Sequence, residues 1–105
     1  MDVLIRIKRL VLKGRVVYTR KAYDEMFRDD LTEDEFEESL VNAQAIAKTV
    51  RSRSSLRRYP GERLYVIKSL SYGGTFIYTK GAIVKKAGEE VFYILVSAKI
   101  ATVED

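Results

Sequence analysis

Residues 63–101 read RLYVIKSLSYGGTFIYTKGAIVKKAGEEVFYILVSAKIA, and they decide the fold. In Arg63 to Leu70, Leu64 and Val66 alternate against Arg63, Tyr65 and Ile67, the period-two pattern of a strand. Ser71 to Gly74 supplies a tight hairpin turn. The next strand begins over Thr75 to Thr79, meets Gly81, where the glycine predicts a bulge, and continues through residues 82–86. Ala87 to Glu90 turns the chain again. Val91 to Ala101 then forms the longest and most apolar strand.

Upstream of this block, Ala45 to Arg51 reads as one more strand. It is joined to Arg63 by the basic, Ser-rich stretch SRSSLRRYPG (52–61), which holds the only proline, Pro60. Before Asn42 the period is helical. Val3, Ile7, Leu10 and Val11 mark one face of a helix over residues 3–13, and Gly14 provides its C-terminal stop. Arg15 to Tyr18 is a short extended piece. Thr19 caps a second helix in which Ala22 and Met26, and Tyr23 and Phe27, stack at i, i+4. Asp29 and Asp30 break it. Thr32 and Glu35 then form a capping box, with Leu31 as a staple toward Phe36, and the third helix buries Phe36, Leu40 and Val41. The expected architecture is α+β: two to three N-terminal helices packed on a four-stranded antiparallel sheet, one domain spanning 1–105.

With 105 residues, 47% hydrophobic and 32% charged, the chain has the balance of one folded domain. No apolar run approaches the roughly 20 residues of a bilayer span, and no signal-peptide core opens the chain. Cysteine is absent, which excludes a disulfide framework and fits a reducing, cytoplasmic setting. Histidine is absent too, which removes the commonest general base and the commonest transition-metal ligand. The carboxylates of the third helix (Glu33, Asp34, Glu37, Glu38) read as a solvated face rather than a metal site, so neither metal nor cofactor is expected.

The net charge of +4 conceals a segregation. Asp24 to Glu38 carries −8, residues 1–23 carry +6, residues 39–86 carry +9, and the remainder −3. A basic surface away from the acidic helix is the footprint of a nucleic-acid binder, against the plainer alternative of ordinary solubilising cations. Without histidine or cysteine, Ser-His and Cys-His nucleophile systems cannot be built. Lysine, arginine, tyrosine and a few carboxylates suit cleavage of RNA by its own 2′-hydroxyl. There the substrate brings the nucleophile, and the protein positions it, stabilises the phosphorane and moves protons. The candidates are Lys48, Glu62, Arg63, Tyr78, Lys80 and Lys99 on the strands. Arg51, Arg53, Arg57 and Arg58, with Tyr59, are candidates for phosphate tracking and stacking. Lys99 interrupts an apolar strand, so it either serves a site or guards a sheet edge. Glu62 is either a base or arginine orienter, or a salt-bridged surface residue.

Several of these segments resemble a known group. IKRLVLKGRVVYT, the Lys48-Thr49 strand and the closing VSAK resemble MqsR-type toxins of the RelE-like superfamily. YTRKAYDEM, ERLYVIKS and IYTKG look like small relatives encoded beside zinc-finger antitoxins. The resemblance implies a metal-independent endoribonuclease, the toxin of a type II toxin–antitoxin pair, acting on messenger RNA and restrained by a cognate antitoxin of zinc-finger or helix-turn-helix type. It matches Lys48, Tyr78 and Lys99 to family positions, and sets Glu62 near a family glutamine. Where the small relatives read T-x-His-Ala, this chain has Thr19, Arg20, Lys21, Ala22, so that histidine's role is lost or moved to Lys21. Two other readings of the residues stand beside this one: a nucleic-acid-binding module without catalysis, and a protein-interaction domain using the sheet edge or the acidic helix.

Overall fold

The computed structural model describes residues 2–52 and 62–102. Helix α1 (Val3–Leu12) starts where the Asp2 carboxylate accepts from the Leu4 N–H at 2.8 Å. It ends on Gly14 in the left-handed region (φ 72°), with the Gly14 and Arg15 N–H groups donating to the Val11 and Leu10 carbonyls. Those two bonds satisfy carbonyls that the last helical turn leaves open, and a residue without Cβ takes this conformation at least cost. Leu4, Ile7, Leu10 and Val11 are buried, as the spacing predicts.

Helix α2 (Arg20–Arg28) is capped by Thr19, whose hydroxyl accepts from Ala22 N–H at 3.2 Å. Its two predicted stacking pairs part company. Ala22 and Met26 enter the core, whereas Tyr23 sits against Tyr18, ring centroids 5.2 Å apart, and Phe27 is 90% exposed. Helix α3 (Glu33–Asn42) opens on the complete Thr32–Glu35 capping box. It buries Phe36, Ser39 and Leu40, with Leu31 and Val41 only partly buried against the same core.

The sheet differs from the four-stranded antiparallel expectation. The extended piece Val16–Tyr18 is itself a strand, β1, and the others are β2 (Lys48–Arg51), β3 (Arg63–Leu70), β4 (Phe76–Lys86) and β5 (Glu89–Ile100). The order is β1-β5-β4-β3-β2, a five-stranded mixed sheet in which β1 runs parallel to β5 and every other pair is antiparallel. Three residues are too few to show a period, and the partner lies at the other end of the chain, so nothing local announces the pairing. The same pairing explains why β5 is so apolar: it is an interior strand.

Beyond β1 the border of β5 is completed by side chains. The Ala98 N–H donates to Glu25 Oε1 at 3.0 Å and the Ile100 N–H to Asp29 Oδ2 at 2.9 Å. Four helical residues rise ~6 Å and two strand residues span ~6.8 Å, so carboxylates one turn apart on α2 match alternate amides of β5.

Boundaries shift in two other places. β2 begins at Lys48 rather than Ala45, and the last turn tightens to Ala87-Gly88, both at positive φ (52° and 81°), so β5 starts at Glu89. Positive φ at both central residues is the geometry that matches strand twist in a two-residue hairpin. The β4–β5 register does shift between Lys80 and Gly81. A Cβ at Gly81 would lie 2.7 Å from the ring of Tyr93, a fully buried side chain that crosses this position. Helices α1 and α3 cover one face of the sheet, and the core there gathers Ile7, Phe36, Leu40, Ile67, Ile77, Tyr93 and Leu95. In β3 it is Tyr65 and Ile67 that join this cluster, while Val66, also buried, lies on the opposite side. Adjacent residues buried on both faces leave no phase for alternation to reveal.

Candidate functional site

Strand register builds the site. Lys48 pairs with Val66, Val66 with Lys80, and Lys80 with Ser97, so these four stand in one row across β2, β3, β4 and β5. The neighbouring row on the same face is Lys68, Tyr78 and Lys99. Lys48 and Lys80 are thus about 10 Å apart, two strand spacings. Tyr78 and Lys80 share the face, as expected from their spacing. Lys99 Nζ lies 5.0 Å from the Tyr78 ring centroid, a cation–π contact that holds the ammonium over the sheet.

Lys99 does not guard a free edge. Its strand has β4 on one side and α2 on the other, with Asp29 bonded to the adjacent Ile100 amide. Lys48 is exposed and opens the edge strand β2. Lys80 is half-buried, and burial holds its ammonium below the usual lysine range. Lys21 adds to this, with smaller contributions from Lys48 and Lys99, while Glu25 pulls the other way. That set of neighbours locates Lys80 at the centre of a cation cluster bordered by α2. Glu25 organises the border: its Oε1 accepts from Ser97 Oγ at 2.7 Å as well as from the Ala98 amide, and its Oε2 lies 4.0 Å from Lys21 Nζ.

The remaining candidates separate. Glu62 is 4% exposed, so it is not a surface residue; its carbonyl accepts from the Ser52 N–H at 2.7 Å where β2 and β3 diverge. Arg63 is exposed and pairs with Arg51, and by strand alternation both lie on the face opposite Lys48, Lys80 and Lys99. Arg53, Arg57, Arg58 and Tyr59 lie outside the described residues.

Three participants escaped the sequence reading of the strands: Lys68, Glu25 and Ser97. Lys68 was within reach, because a hairpin turning at Ser71–Gly74 puts it opposite Tyr78. Glu25 and Ser97 carry no local signal, since their meeting depends on where α2 docks.

Among the described residues no group of three or more Asp or Glu side chains is arranged to hold a metal ion, and no helix is long and apolar enough to cross a membrane. Comparison with protein-family models, curated proteins and solved structures returned no match.

Proposed function

We propose that this chain is an RNA-cleaving enzyme that uses the substrate's 2′-hydroxyl as nucleophile, and that it is the toxin of a toxin–antitoxin pair. The observation that carries the reading is Lys80, half-buried on one sheet face with Lys48 and Lys99 and bordered by Lys21 of α2, with Tyr78 under the Lys99 ammonium. An amine whose proton is held loosely has a larger neutral fraction near neutrality, which suits a general base. Lys80 takes the 2′-hydroxyl proton as O2′ bonds to phosphorus. Lys48 and Lys99 offset the charge on the phosphorane oxygens, and Lys99 protonates O5′ as the P–O5′ bond breaks. The products are a 2′,3′-cyclic phosphate and a 5′-hydroxyl. The antitoxin, and messenger RNA as the target, rest on the quoted resemblance.

Incubation of the purified protein with a short RNA, and with the same RNA carrying 2′-deoxy residues, tests the chemistry. Cyclic-phosphate ends from the RNA alone support the reading. Salt-sensitive binding of both strands with no product after long incubation would replace it with a binding module.

A further inference from the structure

The opposite side of the molecule carries a second surface of different chemistry. Along α3, Asp34, Glu37, Glu38 and Val41 fall at i, i+3, i+4 and i+7, on one helical face. Together with Leu12 at the end of α1 and Tyr72 in the β3–β4 turn, they line a groove of about 240 Å³. Leu12 is 72% exposed and Tyr72 69%, both large apolar side chains left in water at the mouth of one concavity.

The groove is held by bonds rather than by chance proximity. The Tyr72 N–H donates to Glu38 Oε1 at 3.0 Å, and Asn42 Nδ2 donates to the Leu70 carbonyl at 3.0 Å, so the β3–β4 turn is tied to α3 at two points. Among the described residues, none of the three rim carboxylates forms an ion pair. They lie in the stretch that carries −8 within a chain of net charge +4.

We infer that this groove docks a basic amphipathic segment of another protein. The floor asks for a bulky aliphatic or aromatic side chain. The groove is shallow and open to solvent, and its roughly 240 Å³ seats one large side chain against Val11, Leu12, Val41 and Tyr72. The rim asks for lysine or arginine around that anchor, and it repels nucleic acid. An anchor seated on the apolar part of this mixed lining, with complementary charge around it, is the arrangement in which a few residues carry most of the affinity. The site is separate from the lysine face, and the inference is independent of whether that face cleaves RNA.

The test uses two synthetic peptides of about 14 residues, four helical turns, built only from leucine and lysine. One has leucine at i, i+3, i+4 spacing, and the other has the same composition scrambled. Titration into isotopically labelled protein, followed by amide NMR shifts, should move Leu12, Val41 and Tyr72 with the patterned peptide. The scrambled peptide should bind at least about tenfold more weakly. Leu12→Ser with Tyr72→Ala should weaken the patterned peptide by a similar factor, as should Asp34→Lys; all three positions are exposed, so the fold is not at stake. Equal binding of the two peptides, or shifts centred elsewhere, would overturn the inference. So would shifts at the groove that grow with protein concentration alone, because a second copy would then be the occupant.

Discussion

The lysine face of the sheet and the carboxylate face of α3 carry charge in opposite physical settings. On the sheet, Lys48, Lys68, Lys80 and Lys99 project from hydrogen-bonded strands. The ladder sets their spacing, and at Lys80 burial and the neighbouring Lys21 disfavour the charged form. On α3, Glu33, Asp34 and Glu35 occupy the first turn, where the helix dipole favours negative charge, and Asp34 is open to water. The first turn of α3 thus favours its charges, although further along Glu37 is held above the usual carboxylate range by burial and by Asp34 and Glu33, with the Tyr18 hydroxyl pulling the other way. On the sheet it is Lys80 that burial and Lys21 hold below the usual lysine range. A cation perturbed by burial among like charges is a feature that active sites accumulate, and it supports the proposal that the chemistry lies on the sheet.

Four experiments would sharpen or break this contrast. The largest effect is expected from Lys80→Met, which keeps the aliphatic stem and removes the amine. RNA cleavage should fall by about 100-fold or more, while the thermal midpoint holds or rises because a crowded cation is gone. A full cleavage rate in this variant would remove Lys80 from the site.

Glu25→Ala should come next. It strips an acceptor from both Ser97 Oγ and the Ala98 amide, and the loss should be about 1–3 kcal/mol in urea unfolding. Glu25→Gln keeps an acceptor but removes the charge that pulls Lys80 upward, so the Lys80-dependent limb of the pH–rate profile should move to lower pH.

The third effect is a pH dependence. In the fold, the Lys80 ammonium is disfavoured relative to the unfolded chain, so it costs stability at every pH below its folded pKa. As pH rises through that value toward the ordinary lysine pKa, the folded protein sheds the proton first and the cost disappears. Wild type should thus gain on Lys80→Met across the interval just below the usual lysine range, read as the difference in urea midpoints. A flat difference would mean that Lys80 is no more crowded than a surface lysine.

The smallest effect should come from Asp34→Asn on the acidic face, within about 0.5 kcal/mol in the same measurement. A loss comparable to that of Glu25→Ala would show that the first turn of α3 also holds its charges under constraint, and the contrast with the sheet would fail.

Locally specified features were legible in the sequence. The Gly14 stop, the Thr19 cap and the Thr32–Glu35 box each depend on residues within one or two turns, and all form as read. The β3–β4 hairpin also followed from its own turn. Legibility failed where partners are distant or where burial is two-sided. β1 was only a short extended piece until β5 lay beside it, Leu64 and Val66 competed with Tyr65 and Ile67 for the core face, and Glu62, open to reading as a surface residue, proved buried.

The candidate site divides along the same line. The sequence by itself determined the inventory: no histidine, no cysteine, a basic C-terminal half and an acidic third helix, so that the proposed chemistry has lysine, tyrosine and carboxylate to rest on. Only the tertiary structure decided which of those groups meet. Register brought Lys48, Lys68, Tyr78, Lys80 and Lys99 to one face and sent Arg51 and Arg63 to the other, and the docking of α2 brought Lys21 and Glu25 beside Lys80. The physical reason is range. Caps and turns are settled by neighbours in the chain, whereas a proton's affinity for Lys80 is settled by burial and by charges that arrive from three separate elements, α2, β2 and β5.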